Sequence, residues 1–363
     1  MLRQCDLIIW DECTMAHKKL LEVLEKTLGD IRRSERPFGG IVSVLAGDFR
    51  QTLPVIQKAT LLDSYNACSK RSPLWSNFRT LTLRTHMRVS LRGEAGAQNF
   101  SDQLLKMGDG RPPFEPGSPI VFPQGFCLVV SNVQELIDRV YPDLNENARS
   151  HDWLAERAIL APLNRSVNEL NIIVQNRLIS SESRLYLSID TPDVDEQSHQ
   201  AAHIPIEVLN EQKPSGFPSH RLELKIGSVI IHLRNLDPPK LCNGTRMIVK
   251  GLRNNLIELV ILCGQFKGEI VFIPRIPLKN SDSVLPLRRL QFPVRLAFAM
   301  TINKSQGQSL KVAGVDLSTP CFAHGQLYVA CSRVGSPSNL FIHVPDGRTK
   351  NVVLHQALSR MRP

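Results

Sequence analysis

Leu7-Ile8-Ile9-Trp10-Asp11-Glu12 is the stretch whose reading decides the fold. Four consecutive apolar residues are the signature of a strand buried on both faces, and here they stop at two adjacent carboxylates. Leu20, Leu24, Leu28 and Ile31 follow at helical spacing. Pro37-Phe38-Gly39-Gly40 breaks that helix, and Ile41 to Ala46 is a second apolar strand, ending at Gly47-Asp48. Strand, helix, strand is the unit of a parallel sheet, and such sheets bind ligands at the carboxyl ends of their strands. Both acidic turns fall there.

Two adjacent acids at such a strand end suit phosphoryl transfer. One carboxylate, Asp11, can face a Mg²⁺ ion, while its neighbour Glu12 polarises the attacking water. The second acidic turn continues as Gly47-Asp48-Phe49-Arg50-Gln51-Thr52-Leu53-Pro54-Val55. Its Gln51 can bond both a γ-phosphate oxygen and the water, so it suits sensing ATP against ADP. Solvated turns are the plainer reading of each element taken alone.

Downstream the α/β texture repeats. Cys127 to Val130 reads as a strand, with Ser131 as N-cap and Gln134 completing a capping box. Ala158 to Ala161 reads as a buried strand, and Pro162 and Asn164 lead into a helix running to about Ile179. Thr191-Pro192-Asp193 and Lys213-Pro214-Ser215-Gly216 look like linkers. Between about 222 and 292, short apolar runs alternate with Gly, Asn and Pro, as in a small all-β module. After Pro293 the α/β pattern returns, with Leu296 to Met300, Val312 to Leu317 and a helix near Ala323 to Arg333.

The bulk numbers bound the class. The 363 residues suffice for two or three domains; 42% are hydrophobic and 21% charged. A net charge of +10 favours an anionic partner, nucleic acid first. The eight cysteines form no Cys-x-x-Cys pair, so neither a zinc site nor a disulfide framework is expected. No apolar run is long enough to span a membrane. His232, His324 and Trp153 read as structural, and the pairs Arg32-Arg33 and Arg288-Arg289 as solvated.

Asp11-Glu12-Cys13-Thr14-Met15, Arg36-Pro37-Phe38-Gly39-Gly40 and the Gly47 to Val55 run resemble the Pif-type (petite integration frequency) DNA helicases of superfamily 1. The wording is closest to the branch carried by Helitron transposons. The resemblance covers almost the whole chain. Leu83-Arg84-Thr85-His86-Met87-Arg88 is similar to motif IV, with His86 where Asn is more usual. Thr301-Ile302-Asn303-Lys304-Ser305-Gln306-Gly307 is similar to motif V, with Asn303 where many members carry His. Tyr328-Val329-Ala330-Cys331-Ser332-Arg333 resembles motif VI.

The resemblance implies an α/β fold of two RecA-like P-loop NTPase motor domains, the first incomplete, with a small SH3-like β-barrel inserted in the second. Residues 1–80 would be the C-terminal part of the first motor domain and 81–220 the first part of the second. The barrel would be 221–292, and 293–363 the remainder of the second domain. Glu12, Gln51, Arg88 and Arg333 would be catalytic, the two arginines as fingers on the γ-phosphoryl group. Asp11 would hold Mg²⁺. Asp11, Gln51, Arg88, Gly307 and Arg333 would bind ATP, and Thr301, Asn303, Lys304, Ser305 and Gln306 would touch single-stranded DNA.

The expected activity is ATP-driven, 5′ to 3′ translocation on single-stranded DNA with unwinding of duplex or forked DNA. Repair, recombination and telomere maintenance are the expected roles, in the nucleus or else the mitochondrion, with the protein a monomer. A phosphate-binding loop ends in Gly-Lys-Ser/Thr, and no Gly-Lys dipeptide occurs in these residues. The expectation is therefore of a chain truncated before that loop, or one whose loop another polypeptide supplies. A DNA-binding remnant without catalysis, and a metal nuclease using Asp11, Glu12 and Asp48, are the competing readings.

Overall fold

Leu21, Leu24 and Leu28 recur on one face of the helix Lys18–Arg32 and bury it against Ile8, Trp10, Phe38, Ile41 and Leu45. That cluster joins the helix to two parallel strands, Leu7–Trp10 and Val42–Leu45, paired from Leu7↔Val42 to Trp10↔Leu45. The His17 ring accepts a hydrogen bond from the Lys19 amide at the helix start. Arg33, in left-handed conformation, ends the helix four residues before Pro37. The expectation of burial on both faces does not hold. Leu7 and Ile9 are 49% and 66% exposed, and Val42 and Val44 are exposed beside them. Among the described residues the helix covers only the face that carries Ile8, Trp10 and Leu45.

The computed structural model describes residues 2–56, 60–83, 97–179, 182–193, 204–280 and 286–359. The chain divides into two compact units, one of Met1–Leu136 with Thr301–Pro363 and the other of Ile137–Met300. Besides the pair above, the first unit holds the parallel strands Leu128–Val130, Leu340–His343 and Val312–Asp316, with Leu340–His343 between the other two. Asn132, rather than Ser131, caps the helix Val133–Val140 by accepting from the Glu135 amide, and the Glu135 carboxylate bonds back to Ser131. One residue of register separates the expected cap from the observed one.

In the second unit the strand Arg157–Ala161 is buried at all five positions. The helix Asn164–Arg177 packs Val167, Leu170 and Val174 inward. Its Asn171 amide clamps the backbone of Ala299 through both carbonyl and N–H, each at 2.9 Å. The expected all-β region is present. An antiparallel sheet runs in the order Ile270–Pro274, Leu256–Ile261, Arg246–Leu252, Val229–His232, Val294–Leu296. Leu224, Ile230, Met247, Leu259, Ile273 and Phe292 form its core.

Two expectations fail in this region. Thr191-Pro192 is not a linker, because Ile189–Pro192 pairs with Leu287–Gln291 as an edge strand, where proline is tolerated. Arg289 is not solvated. It alternates inward between exposed Arg288 and half-buried Leu290, and forms a fully buried, bidentate pair with Asp190 at 2.6 and 2.9 Å. The carbonyls of Leu209 and Pro218 take further guanidinium protons. A buried charge needs this degree of satisfaction. His232 is fully buried, and burial holds its pKa below the usual histidine value. Trp153 takes the Arg157 guanidinium on its ring face at 3.8 Å. No described helix is long and apolar enough to cross a membrane.

Candidate active site

Because Trp10 and Leu45 are paired, the two parallel strands of the first unit end level with one another. The Ala46 amide donates to Trp10 O and the Cys13 amide to Ala46 O, each at 2.9 Å, so the two acidic turns are pinned side by side. Gly47 permits this approach, since a Cβ there would stand 2.9 Å from the Thr14 methyl. Asp11 is exposed, and its Oδ1 accepts the Glu12 amide at 2.9 Å. Glu12 adopts a left-handed conformation, φ 52°, uncommon for a residue with a Cβ. Such conformations cost about 1–3 kcal/mol and gather at functional sites.

The loop after Asp48 is fastened from several sides. Asp48 accepts the Arg50 amide at Oδ1 and the Tyr328 hydroxyl at Oδ2, both at 3.0 Å. Burial, and then the Asp48 carboxylate, push the Tyr328 pKa well above the usual phenol value, so Tyr328 stays a donor. Arg50 Nε donates to Asp109 at 2.7 Å. His324 accepts the Leu354 amide at Nδ1, at 2.9 Å, which leaves the proton on Nε2 to be donated to Phe49 O at 2.7 Å. Burial depresses the His324 pKa and keeps the ring neutral. Gly325, φ 73°, lies so close that a Cβ would come within 2.4 Å of Arg50 O.

The turn that follows Ala299–Thr301 reaches the acids. Gln306 Nε2 donates to Glu12 Oε2 at 2.9 Å, and Gln306 Oε1 accepts the Thr52 hydroxyl at 2.5 Å. Gln51 Oε1 is buried without a hydrogen-bond partner among the described residues. A buried acceptor of that kind is a place for a donor such as water. Arg333 is buried, and its guanidinium holds the turn's backbone, with Nη1 donating to Ser305 O at 3.2 Å and Gln308 O at 2.9 Å. Its Nε donates to Val329 O.

Of the expected site residues, Glu12, Gln306, Gly307 and Arg333 are thus gathered on one turn and its neighbours. Thr301 and Asn303 are half-buried, with Asn303 accepting from Gln326 at 3.2 Å. Lys304 is exposed, and the buried Ser305 hydroxyl bonds back to Ile302 O. Arg88 lies outside the described residues. Sequence reasoning missed Thr52, Tyr328, Arg50 and Asp109, and read His324 as structural without its link to Phe49. Thr52 and Tyr328 stand inside motifs already singled out; Asp109 carried no signal. No cluster of three or more metal-ligating side chains occurs among the described residues. A cation at this strand end would have one exposed carboxylate, Asp11, as its protein ligand and would draw the others from water and phosphate, a donor set of the oxygen type that Mg²⁺ accepts.

Residues 1–116 match the family model described as PIF1-like helicase, and residues 207–252 match the one described as DNA helicase Pif1, 2B domain. The chain is 27% identical over 347 residues to an ATP-dependent DNA helicase Pif1 of Bdellovibrio bacteriovorus, covering 94% of the chain and 66% of that protein. Over most of its length the chain is similar to PIF1-like helicases. The human ATP-dependent DNA helicase PIF1 is 27% identical over 340 residues, covering 93% of the chain and 46% of that protein. The chain therefore spans from under half to about two thirds of the length of these relatives. The crystal structure of the Candida albicans Pif1 helicase matches with a TM-score of 0.66 at 25% identity, over 98% of the chain and 76% of that structure. A Bacteroides Pif1 structure in complex with ADP-AlF3 and single-stranded DNA matches at 0.65 and 22% identity, over 94% of the chain and 71% of that structure, which bears on the fold alone. The fold is the two-domain RecA-like α/β fold of these helicases.

Proposed function

We propose that this chain is part of an ATP-dependent DNA helicase motor that couples ATP hydrolysis to 5′ to 3′ movement along single-stranded DNA. The observation that carries the reading is the convergence of Glu12, Thr52 and Gln306, three residues far apart in sequence, into one hydrogen-bonded group. The similarity to PIF1-like helicases supports it, as does the net charge of +10.

In this reading Asp11 holds Mg²⁺, which neutralises charge on the phosphate oxygens when bound. Glu12 takes a proton from the attacking water, and the free oxygen of Gln51 orients that water. Arg333 and Arg88 neutralise charge on the transferred phosphoryl group; Arg333 does so by exchanging its carbonyl partners at Ser305 and Gln308 for phosphate oxygens. Thr301, Asn303 and Lys304 face the sugar-phosphate strand, while the buried Ser305, expected to touch DNA, instead holds the turn through Ile302 O. Residues 1–80 form part of the first motor domain, 81–220 and 293–363 the second, and 221–292 an SH3-like barrel within it. The protein acts as a monomer on forked or duplex DNA in repair, recombination and telomere maintenance. It does so in the nucleus, or alternatively the mitochondrion, with the phosphate-binding loop supplied by a further polypeptide segment.

Strand displacement on forked substrates with a 5′ or a 3′ single-stranded arm tests the reading. Displacement only from the 5′ arm, requiring ATP and Mg²⁺, is the expected outcome. Salt-sensitive binding to single-stranded DNA without displacement on either fork supports a DNA-binding chain instead, and degradation of the DNA with Mg²⁺ alone would mark a nuclease.

A further inference from the structure

Within the 301–307 turn the polar side chains divide their attention. Ser305 bonds back into the turn at Ile302 O, and Asn303 is taken by Gln326. Gln306 is directed at the acids, and both ends of its amide are committed, Nε2 to Glu12 Oε2 and Oε1 to the Thr52 hydroxyl. The backbone on either side of Gln306 is fixed by Arg333 through Ser305 O and Gln308 O. Gln306 is therefore a short, restrained link between turn and carboxylate. Its 2.9 Å bond to Glu12 does not survive a relative shift of about 1 Å, since a contact near 4 Å is no longer a hydrogen bond.

The link also decides which Glu12 oxygen is at work. Oε2 is occupied by the Gln306 amide. Oε1 lies toward Gly307, and since even a Cβ added there would stand 3.9 Å away, Gly307 leaves room beside that oxygen. One oxygen held and the other open is the arrangement a base needs to aim a water molecule.

We propose that Gln306 is a positioning residue that makes the orientation of the Glu12 carboxylate depend on whether the 301–307 turn carries a single strand of DNA. This rests on the reading of that turn as a strand-binding surface. Contact of phosphates with the turn displaces its backbone, and Gln306 transmits the displacement to Glu12. Coupling between two binding events is reciprocal, so the state of Glu12 must in return alter the affinity of the turn for DNA. That consequence is measurable with no nucleotide present.

The experiment is fluorescence anisotropy with a labelled oligothymidine on the full chain, comparing wild type, Glu12→Ala, Gln306→Ala and the double variant. Gln306→Met, which keeps length without polar atoms, serves as a second background, and all variants are checked by melting. Glu12→Ala is expected to change the dissociation constant by about fivefold or more in the wild-type background, the low end of usual coupling. It is expected to leave the constant unchanged where Gln306 is absent. Equal effects of Glu12→Ala in all backgrounds, or no effect in any, overturn the coupling while leaving strand binding intact. No binding of oligothymidine by the wild type overturns the strand-binding reading itself, and the coupling with it.

Discussion

Two strands with similar apolar runs have opposite surroundings. Arg157–Ala161 is buried at every position. Leu7–Trp10 leaves Leu7 and Ile9 open to solvent while Ile8 and Trp10 pack on a helix. An apolar run reports that a strand wants cover on both faces; what covers it is decided elsewhere in the chain. The same contrast extends to the two units. The β-rich region of Ile137–Met300 closes a continuous apolar core and seals a buried Arg289–Asp190 pair beside it. The acidic turns of the other unit are held by polar bonds between distant segments: Tyr328 to Asp48, His324 to Phe49, Gln306 to Glu12. Polar bonds of this sort contribute about 0.5–1.5 kcal/mol each, a scale suited to parts that must move.

The contrast is broken most severely at the buried ion pair. Asp190→Ala leaves the Arg289 guanidinium buried without its carboxylate and is expected to cost about 3–5 kcal/mol in denaturant unfolding followed in the second unit. A loss under about 1 kcal/mol would mean that water reaches the pair. Next, Ile159→Ala is expected to destabilise by about 2–5 kcal/mol, as for a fully buried aliphatic side chain. Ile9→Ala, at an exposed position of the comparable strand, should stay within about 0.5 kcal/mol. Equal losses would show that Ile9 is covered in solution. Tyr328→Phe removes one hydroxyl bond to Asp48 and should cost about 1 kcal/mol in the first unit.

The smallest effect is a pH dependence. Burial depresses the His324 pKa below its ordinary 6.5, so its contribution to stability is present above pH 6.5 and is lost as pH falls through the folded value. Melting temperatures of wild type should fall faster below pH 6.5 than those of His324→Gln. Parallel curves would show that the ring is not the neutral bridge between Phe49 and Leu354.

Much of this organisation was legible in the sequence. The strands ending at Asp11 and Asp48, the helix between them and the all-β region follow from periodicity and turn residues, which are local properties. The burial of Arg289 was not legible, because only the register with Ile189–Pro192 turns that side chain inward beside Asp190. Pro192 disguised its strand, since an edge position hides the missing amide. At the candidate site, motif order brought out Glu12, Gln306 and Arg333. It did not show that Gln306 turns toward Glu12, or that Arg333 grips the carbonyls of Ser305 and Gln308. The first is a contact across 294 residues and the second depends on how two turns 25 to 28 residues apart fold together, neither of which spacing along the chain encodes.

The measurement that bears most directly on the central claim is ATP hydrolysis in Mg²⁺ by the purified chain, with and without single-stranded DNA, beside Glu12→Gln. With the segment that carries the phosphate-binding loop present, the expected result is turnover stimulated by DNA and abolished in Glu12→Gln, with DNA binding retained by both proteins. Turnover that ignores DNA, or that persists in Glu12→Gln, would contradict the assignment of these turns as a DNA-coupled ATPase site.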